Sequence, residues 1–370
     1  MRPQALRDGR FMEQDKGFKF VKTLKILFFI FAVHAVVPAS ATVLWAGSED
    51  VDFPNGAAAC TNTTAGRFRS SYARATAYAC SGGTYATSNA FAGGAVTSVW
   101  LSARTFLYGC CMSNNGAKLI GLAKSGTNSS LWIGLAAGSS SILALWKYDN
   151  TTWTQLAAES SGTFAADTIT KLDMQVISYG GSATVNIYTN GGASVRVTYT
   201  GNVVAGTAST LDSVIITNSG NTGFTSEVIV SDLDTRSLSL VTLAPSLAGT
   251  SNAWTGAFTD VNETTISDAT LVSTTVSGNN FQCNLTDLPA GSFSIQGVKL
   301  VARSMKAGAG ITSVAPGIYT SATVNVPTAT ALSTTWTSVE TLYQGTNPVT
   351  SSNWTSGDIN GLQLNLQSAP

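Results

Sequence analysis

The stretch KLDMQVISYGGSATVNIYTNGGASVRVTYTG, residues 171–201, decides the fold. Leu172, Met174 and Val176 alternate with Asp173 and Gln175. Val185 and Ile187 alternate with Thr184, Asn186 and Tyr188, and Val195, Val197 and Tyr199 with Ser194, Arg196 and Thr198. Gly180-Gly181 and Asn190-Gly191-Gly192 break the runs. Period-two patterning between such breaks predicts an antiparallel meander with one buried and one wet face. The wet face, carrying Thr184, Asn186, Tyr188, Arg196 and Thr198, combines hydrogen-bonding groups with an aromatic. It is a candidate contact surface for a glycan or a neighbouring subunit, another copy of this chain included.

Short apolar runs continue upstream at close intervals: VWL around Trp100, KLIGLA at 118–123, LWIGLA at 131–136, ILALWKY at 142–148 and TWTQL at 152–156. Ser125-Gly126, Gly138-Ser139 and Asp149-Asn150 separate them. Many short strands at regular spacing predict an all-β sandwich. Downstream, SLSLVTLAPSLAG (237–249) reads as a connection because of Pro245 and its small residues. Further strands at 271–276, 281–285, 294–303, 319–326, 339–343 and 362–366 predict a second, smaller sandwich. The expected organisation is a leader at 1–41, a first sandwich at 42–237, a linker at 238–249 and a small β-sandwich at 250–370.

The leader is expected from Lys16, Lys19, Lys22 and Lys25, the apolar run ILFFIFAVHAVV (26–37), and Pro38 before Ala39-Ser40-Ala41. That is the layout of a signal peptide cleaved before Thr42. Twelve residues would rise about 18 Å as a helix, too short for a ~30 Å hydrocarbon core. An uncleaved anchor or a mis-assigned start, with Met12 as initiator, are the competing readings. The leader takes seven of the 20 Lys/Arg and three of the 20 Asp/Glu, leaving 13 against 17. Such a mild acidic balance carries no footprint for nucleic acid or an anionic membrane.

The one histidine, His34, lies in that leader. Imidazole bases, Ser-His-Asp and Cys-His systems and His-ligated metals are therefore excluded from the rest of the chain. Five cysteines contain no CxxC pair. If the chain is exported, Cys60 with Cys80 is the expected disulfide, worth about 3 kcal/mol in the chain-entropy model; Cys110 and Cys111 offer rival pairings, and in a reducing compartment all are small buried residues. Glu49, Asp50 and Asp52 would supply oxygen ligands to Ca²⁺, with solvated loop carboxylates as the alternative. Beyond this calcium candidate no cofactor is expected. Arg67, Arg69 and Arg74 interleave with Phe68, Tyr72 and Tyr78, read as strand residues rather than a base-stacking patch.

The progression LWKY…TWTQL…KLDMQV…ATVNIYTNG…VRVTYTG…LDSVIIT resembles the concanavalin A-like (laminin-G-like) jelly roll over roughly residues 43–234. The resemblance implies glycan or Ca²⁺ binding at edge loops, with Trp146, Trp153 or Tyr188 stacking on a sugar. The same family includes glucanases, which need paired carboxylates. The five Glu beyond the leader (Glu49, Glu159, Glu227, Glu263 and Glu340) form no ExDxE-like array, so no enzyme is expected. The segments LWAGSEDVDFPNG, TTAGRFRSSYAR, WTGAFTDV, VKLVARS and NPVTSSNWTSGDINGLQL resemble those of tailed-phage virion structural proteins. That resemblance implies a non-enzymatic phage head or tail protein contacting other virion subunits or surface glycans. The leader favours the alternative, a secreted or cell-surface lectin or adhesin. Localisation is accordingly the virion, or extracellular if the leader is cleaved.

Overall fold

The computed structural model describes residues 26–33, 42–47, 49, 52–54, 60–63, 77–80, 85–107, 116–127, 129–162, 164–217, 223–262, 268–308 and 310–370, with backbone alone for 26–33, 60–63 and 77–80. The chain is all-β, and the described residues form four antiparallel sheets. The meander is present as read: Ile169–Ile177 pairs with Ala183–Thr189, which pairs with Val197–Gly201. Asn190 and Gly191 turn the hairpin with positive φ of 51° and 70°. A Cβ on Gly191 would stand 2.8 Å from the Arg236 carbonyl, so that site demands glycine for space as well as backbone.

These strands lie in a large, eight-stranded sheet. Its order is Val197–Gly201, Ala183–Thr189, Ile169–Ile177, Val99–Leu107, Gly223–Ser231, Ala77–Cys80 and Cys60–Thr63, with Val43–Gly47 also pairing Gly223–Ser231. Facing it is a Trp-rich sheet: Trp153–Ala158, Leu143–Tyr148, Ser130–Leu135, Lys118–Ala123, Ser213–Thr217 and Tyr85–Thr87. Strands adjacent in the chain fall in opposite sheets, 99–107 against 118–123 and 213–217 against 223–231. This is the jelly-roll arrangement expected. Leu101, Leu172, Met174, Val185 and Ile187 from one sheet meet Leu122, Leu131, Ile133, Leu145 and Val214 from the other in one core.

The second sandwich pairs a central, four-stranded sheet (Leu238–Leu243, Ile26–Val33, Ser294–Ser304, Thr337–Gln344) with a distal, six-stranded one. The distal sheet runs Pro245–Asn252, Asn280–Leu285, Gln363–Ala369, Ser313–Thr320 and Thr323–Asn325, with Thr330–Ala331 on the Ser313–Thr320 strand. Val241, Leu243, Val298 and Leu300 pack against Phe281, Cys283, Ile318, Leu364 and Leu366. Trp254 and Trp354 close this core, and the Trp354 indole donates to the Gln344 carbonyl at 2.8 Å. Thr355 and Asp358 form a reciprocal capping box on the short helix Ser356–Asn360.

Two stretches are placed differently from the sequence reading. Residues 238–249 are not a linker but the strand Leu238–Leu243 and most of Pro245–Asn252. Leu238 and Leu240 face the first sandwich while Val241 and Leu243 face the second core. A strand buried on both sides lacks the alternation that marks a half-wet one. Pro245 does act as a breaker, but at the start of an edge strand, where a missing N–H is tolerated. The apolar part of the leader, Ile26–Val33, is likewise a strand, placed inside the central sheet.

The sandwiches join over a small third core of Val43, Ala46, Ile229, Leu238, Leu240 and Val301. Part of the meander's face opposite the main core, around Lys171, Asp173 and Tyr188, is also covered. There Lys171 Nζ donates to the carbonyls of Thr235, Arg236 and Leu238 at 2.8–2.9 Å, 3.7 Å from buried Asp173. Thr235 donates to the Asp173 carboxylate at 2.8 Å. The Lys171 ammonium thus latches the turn between the sandwiches onto the meander. Substituting Lys171→Met strands three carbonyls and a buried carboxylate, and is expected to destabilise the fold by about 3–5 kcal/mol. A fall in the urea midpoint at unchanged m-value checks it.

Candidate functional site

Beside that joint lies a cleft of about 240 Å³. Leu44 and Trp45 reach it from the strand Val43–Gly47, Asn89, Ala90 and Ala92 from the segment after Tyr85–Thr87, and Lys299, Ser338, Val339, Glu340 and Leu342 from the central sheet. Ser294–Ser304 and Thr337–Gln344 pair with Leu300 opposite Thr341 and Val301 opposite Glu340, which brings Lys299 and Glu340 together. Lys299 is 1% exposed and sits mid-strand in VKLVA. Its Nζ donates to the Ala46 carbonyl at 2.7 Å, lies 3.0 Å from a Glu340 oxygen and 3.4 Å from Asp52, and stands 4.6 Å over the Trp45 ring. Asn89 Nδ2 approaches the other Glu340 oxygen at 3.5 Å.

Burial of such an ammonium is costly unless it is fully surrounded by partners. Here two carboxylates, a carbonyl and an aromatic face supply them. The Gln344 side chain stitches the same joint, accepting from Val43 N–H at 3.1 Å and donating to Val43 O at 2.9 Å. Chemically, the cleft offers a half-screened carboxylate, a primary amide and the hydroxyls of Thr330 and Ser338 around apolar walls. Among its described lining residues it holds one carboxylate, Glu340.

The residues expected from sequence fall elsewhere. Tyr188 is 7% exposed: it stacks on Trp100 at 5.6 Å, and Arg236 covers it at 4.6 Å. Arg196 donates to buried Glu159 at 2.8 Å. Asn186 bonds Gln175 and Thr198. The turn at 234–238 thus withdraws Tyr188 from the expected contact face, while Thr198 stays exposed and Thr184, Asn186 and Arg196 half-buried. Glu49 and Asp52 are buried, with Asp52 accepting from Glu49 N–H at 3.0 Å and facing Lys299. Asp50 lies outside the described residues. Among the described residues no group of three His, Cys, Asp or Glu is arranged to hold a metal ion. Cys60 stands directly opposite Cys80 in the antiparallel register, a separation a disulfide can span, while Cys110 and Cys111 lie outside the described residues. Cys283 is free and buried, and burial pushes its thiol pKa up.

Trp146 and Trp153 do come together, on the outer face of the Trp-rich sheet. Trp153 stacks on Tyr148 at 4.6 Å and meets Trp132 edge-on at 5.7 Å. Lys118 Nζ lies 3.8 Å from the Trp146 ring and 4.6 Å from Trp153, so the rings hold a cation of this chain itself. Trp146 is 6% exposed, which leaves the partly exposed Trp153 and Tyr148 as the accessible aromatics. Asn89, Lys299, Ser338 and Glu340 escaped sequence reasoning because they are far apart in the chain. The one local signal was a lysine inside an otherwise apolar strand, VKLVA.

No protein-family model matches the chain, and no characterised protein sequence does. Solved structures that resemble it include a heptameric SAP-like pentraxin from Limulus polyphemus, with 16% identity over 37% of this chain and 64% of the pentraxin, TM-score 0.26. The chain thus spans under two thirds of that protein. Domain 4 of AbnA, a GH43 extracellular arabinanase from Geobacillus stearothermophilus in complex with arabinotriose, is similar at 13% identity over 57% of this chain and 93% of the domain, TM-score 0.32. The VIP36 exoplasmic/lumenal domain, in its Ca²⁺/Man3GlcNAc-bound form, is similar at 10% identity over 56% and 83%, TM-score 0.29. These scores are too low to carry a fold argument, and the sandwich assignment rests on the strand order and register above.

Burial pushes the Lys118 pKa from 10.5 down to about 8. The unfolded chain therefore binds the extra proton between pH 8 and 10.5, and folding stability rises with pH across that window. Below pH 8 the cost of holding the buried ammonium is fully present. Melting curves should show the wild type gaining on Lys118→Met as pH rises through this window, and at constant difference below it.

Proposed function

We propose that the protein is a non-catalytic carbohydrate-binding module whose site is the cleft at the sandwich joint. The observation that carries this is the convergence of Asn89, Ser338, Thr330 and the Glu340 carboxylate on one concavity with apolar walls of Leu44, Ala90, Val339 and Leu342. Sugar hydroxyls are recognised by such mixed donor and acceptor sets beside apolar surface. The Glu340 carboxylate at the rim disfavours uronates and sialylated glycans, so a neutral sugar is the expected ligand. The glycan ligands named for the AbnA domain and VIP36 belong to those proteins and are compatible with this reading.

A glycan array followed by calorimetry tests it. A neutral glycan should bind, Asn89→Ala should weaken it about three- to tenfold, and Glu340→Gln about ten- to a hundredfold. Both variants should keep cooperative unfolding. The proposal is lost if no neutral glycan binds or if both variants bind as the wild type does.

The sequence resemblance to tailed-phage virion proteins supports a particle surface as the place where such a module works. Mass spectrometry of purified particles should then find this chain at stoichiometric level; recovery from the culture medium alone would favour the secreted lectin reading.

A further inference from the structure

We propose that Ile26–Val33 is a permanent strand of the second sandwich, held by its own chain in a slot between Leu238–Leu243 and Ser294–Ser304, and is not removed as a leader. The proposal is independent of the glycan reading. The segment ILFFIFAV pairs antiparallel on both sides. Six positions match Leu238–Leu243, from Phe28 opposite Leu243 to Val33 opposite Leu238. Eight match Ser294–Ser304, from Ile26 opposite Ala302 to Val33 opposite Ser294, with one irregularity between Phe31 and Ala32.

Two features of the slot fit this occupant. First, both neighbours are buried on both faces: Leu238, Leu240 and Val301 lie in the core at the joint, and Val241, Leu243, Val298, Leu300 and Ala302 in the core of the second sandwich. A strand between them belongs to a sheet with no wet side, and such strands read as unbroken apolar runs instead of alternating ones. The run of eight apolar residues has that composition, which is also why it resembles the core of a signal peptide. Second, Leu238–Leu243 is the edge of the sheet, and Ile26–Val33 is its one strand partner in the described sheet order. Removing the segment would leave the inward backbone N–H and C=O groups of Leu238–Leu243 and of Ser294–Ser304 without their ladder, in a buried setting where unpaired groups are rarely tolerated.

Hydrogen exchange on the full-length chain, read by mass spectrometry, tests this directly. Amides of 28–33 and 238–243 should be protected together. In Ile30→Pro, which deletes one ladder donor and cannot sit in a central strand, exchange at 238–243 should quicken on the order of a hundredfold. If that variant does not fold, the wild-type chain still decides the matter, since free exchange at 28–33 beside protected 238–243 overturns the proposal. So does unchanged protection at 238–243 in Ile30→Pro, or a purified protein that begins at Thr42 and keeps those amides protected. Sedimentation separates the source of the strand: a monomer with protected 28–33 upholds the own-chain occupant, and a dimer that loses this protection on dilution overturns it.

Discussion

The joint between the two sandwiches turns on one buried cation. Lys299 comes from the middle of a core strand, yet its ammonium crosses to the first sandwich and ends against the Ala46 carbonyl, Asp52 and the Trp45 ring. None of these partners is close to it in sequence. Without them the charge would be stranded in an apolar layer, so the two sandwiches cannot part without exposing or orphaning it. Glu340, drawn in as a further counter-charge, is thereby fixed at the rim of the cleft. The element that closes the joint is the element that furnishes the cleft.

The same device recurs. Only 11% of the chain is charged, yet three of the described lysines are buried, Lys171 and Lys299 where the sandwiches meet and Lys118 on the outer face of the Trp-rich sheet. Lys171 is taken up by three carbonyls of the connecting turn, Lys118 by two indole faces, and Lys299 by carboxylates and an indole. A long flexible stem with a compact charged head can reach across a sheet boundary that an apolar side chain would stop at. In sandwiches built largely from Ser, Thr, Gly and aliphatic residues, Lys171 and Lys299 give the two sandwiches a fixed mutual placement.

How far the sequence could be read follows from this layering. Wherever a strand has one wet face its period-two pattern shows, and Leu172, Met174, Val176, Val185 and Ile187 all take the core positions that pattern assigns. Where two sandwiches stack, the pattern vanishes. SLSLVTL and ILFFIFAV therefore read as a connection and a leader, although both are strands of the central sheet. The site was less legible still. Tyr188 reads as exposed because nothing local reveals the turn at 234–238 that folds over it, and Arg196 because nothing local reveals the Glu159 that binds it. Lys299 and Glu340 meet through the pairing of strands about 40 residues apart, Asn89 joins them from 251 residues away, and no spacing rule encodes that.

The position of Ile26–Val33 also sets a timetable for synthesis. Its ladder partners end at Ser304, so 271 residues must follow Val33 from the ribosome before the slot exists. At ordinary rates of translation that is roughly 14–54 s. Throughout this interval an apolar segment with basic residues on its N-terminal side stands without its sheet. A sequence separation so large also makes this closure one of the slower steps of folding. The nascent chain therefore presents, for a limited time, a segment that the finished protein conceals, and any factor that recognises apolar nascent segments competes with the slot for it during that time.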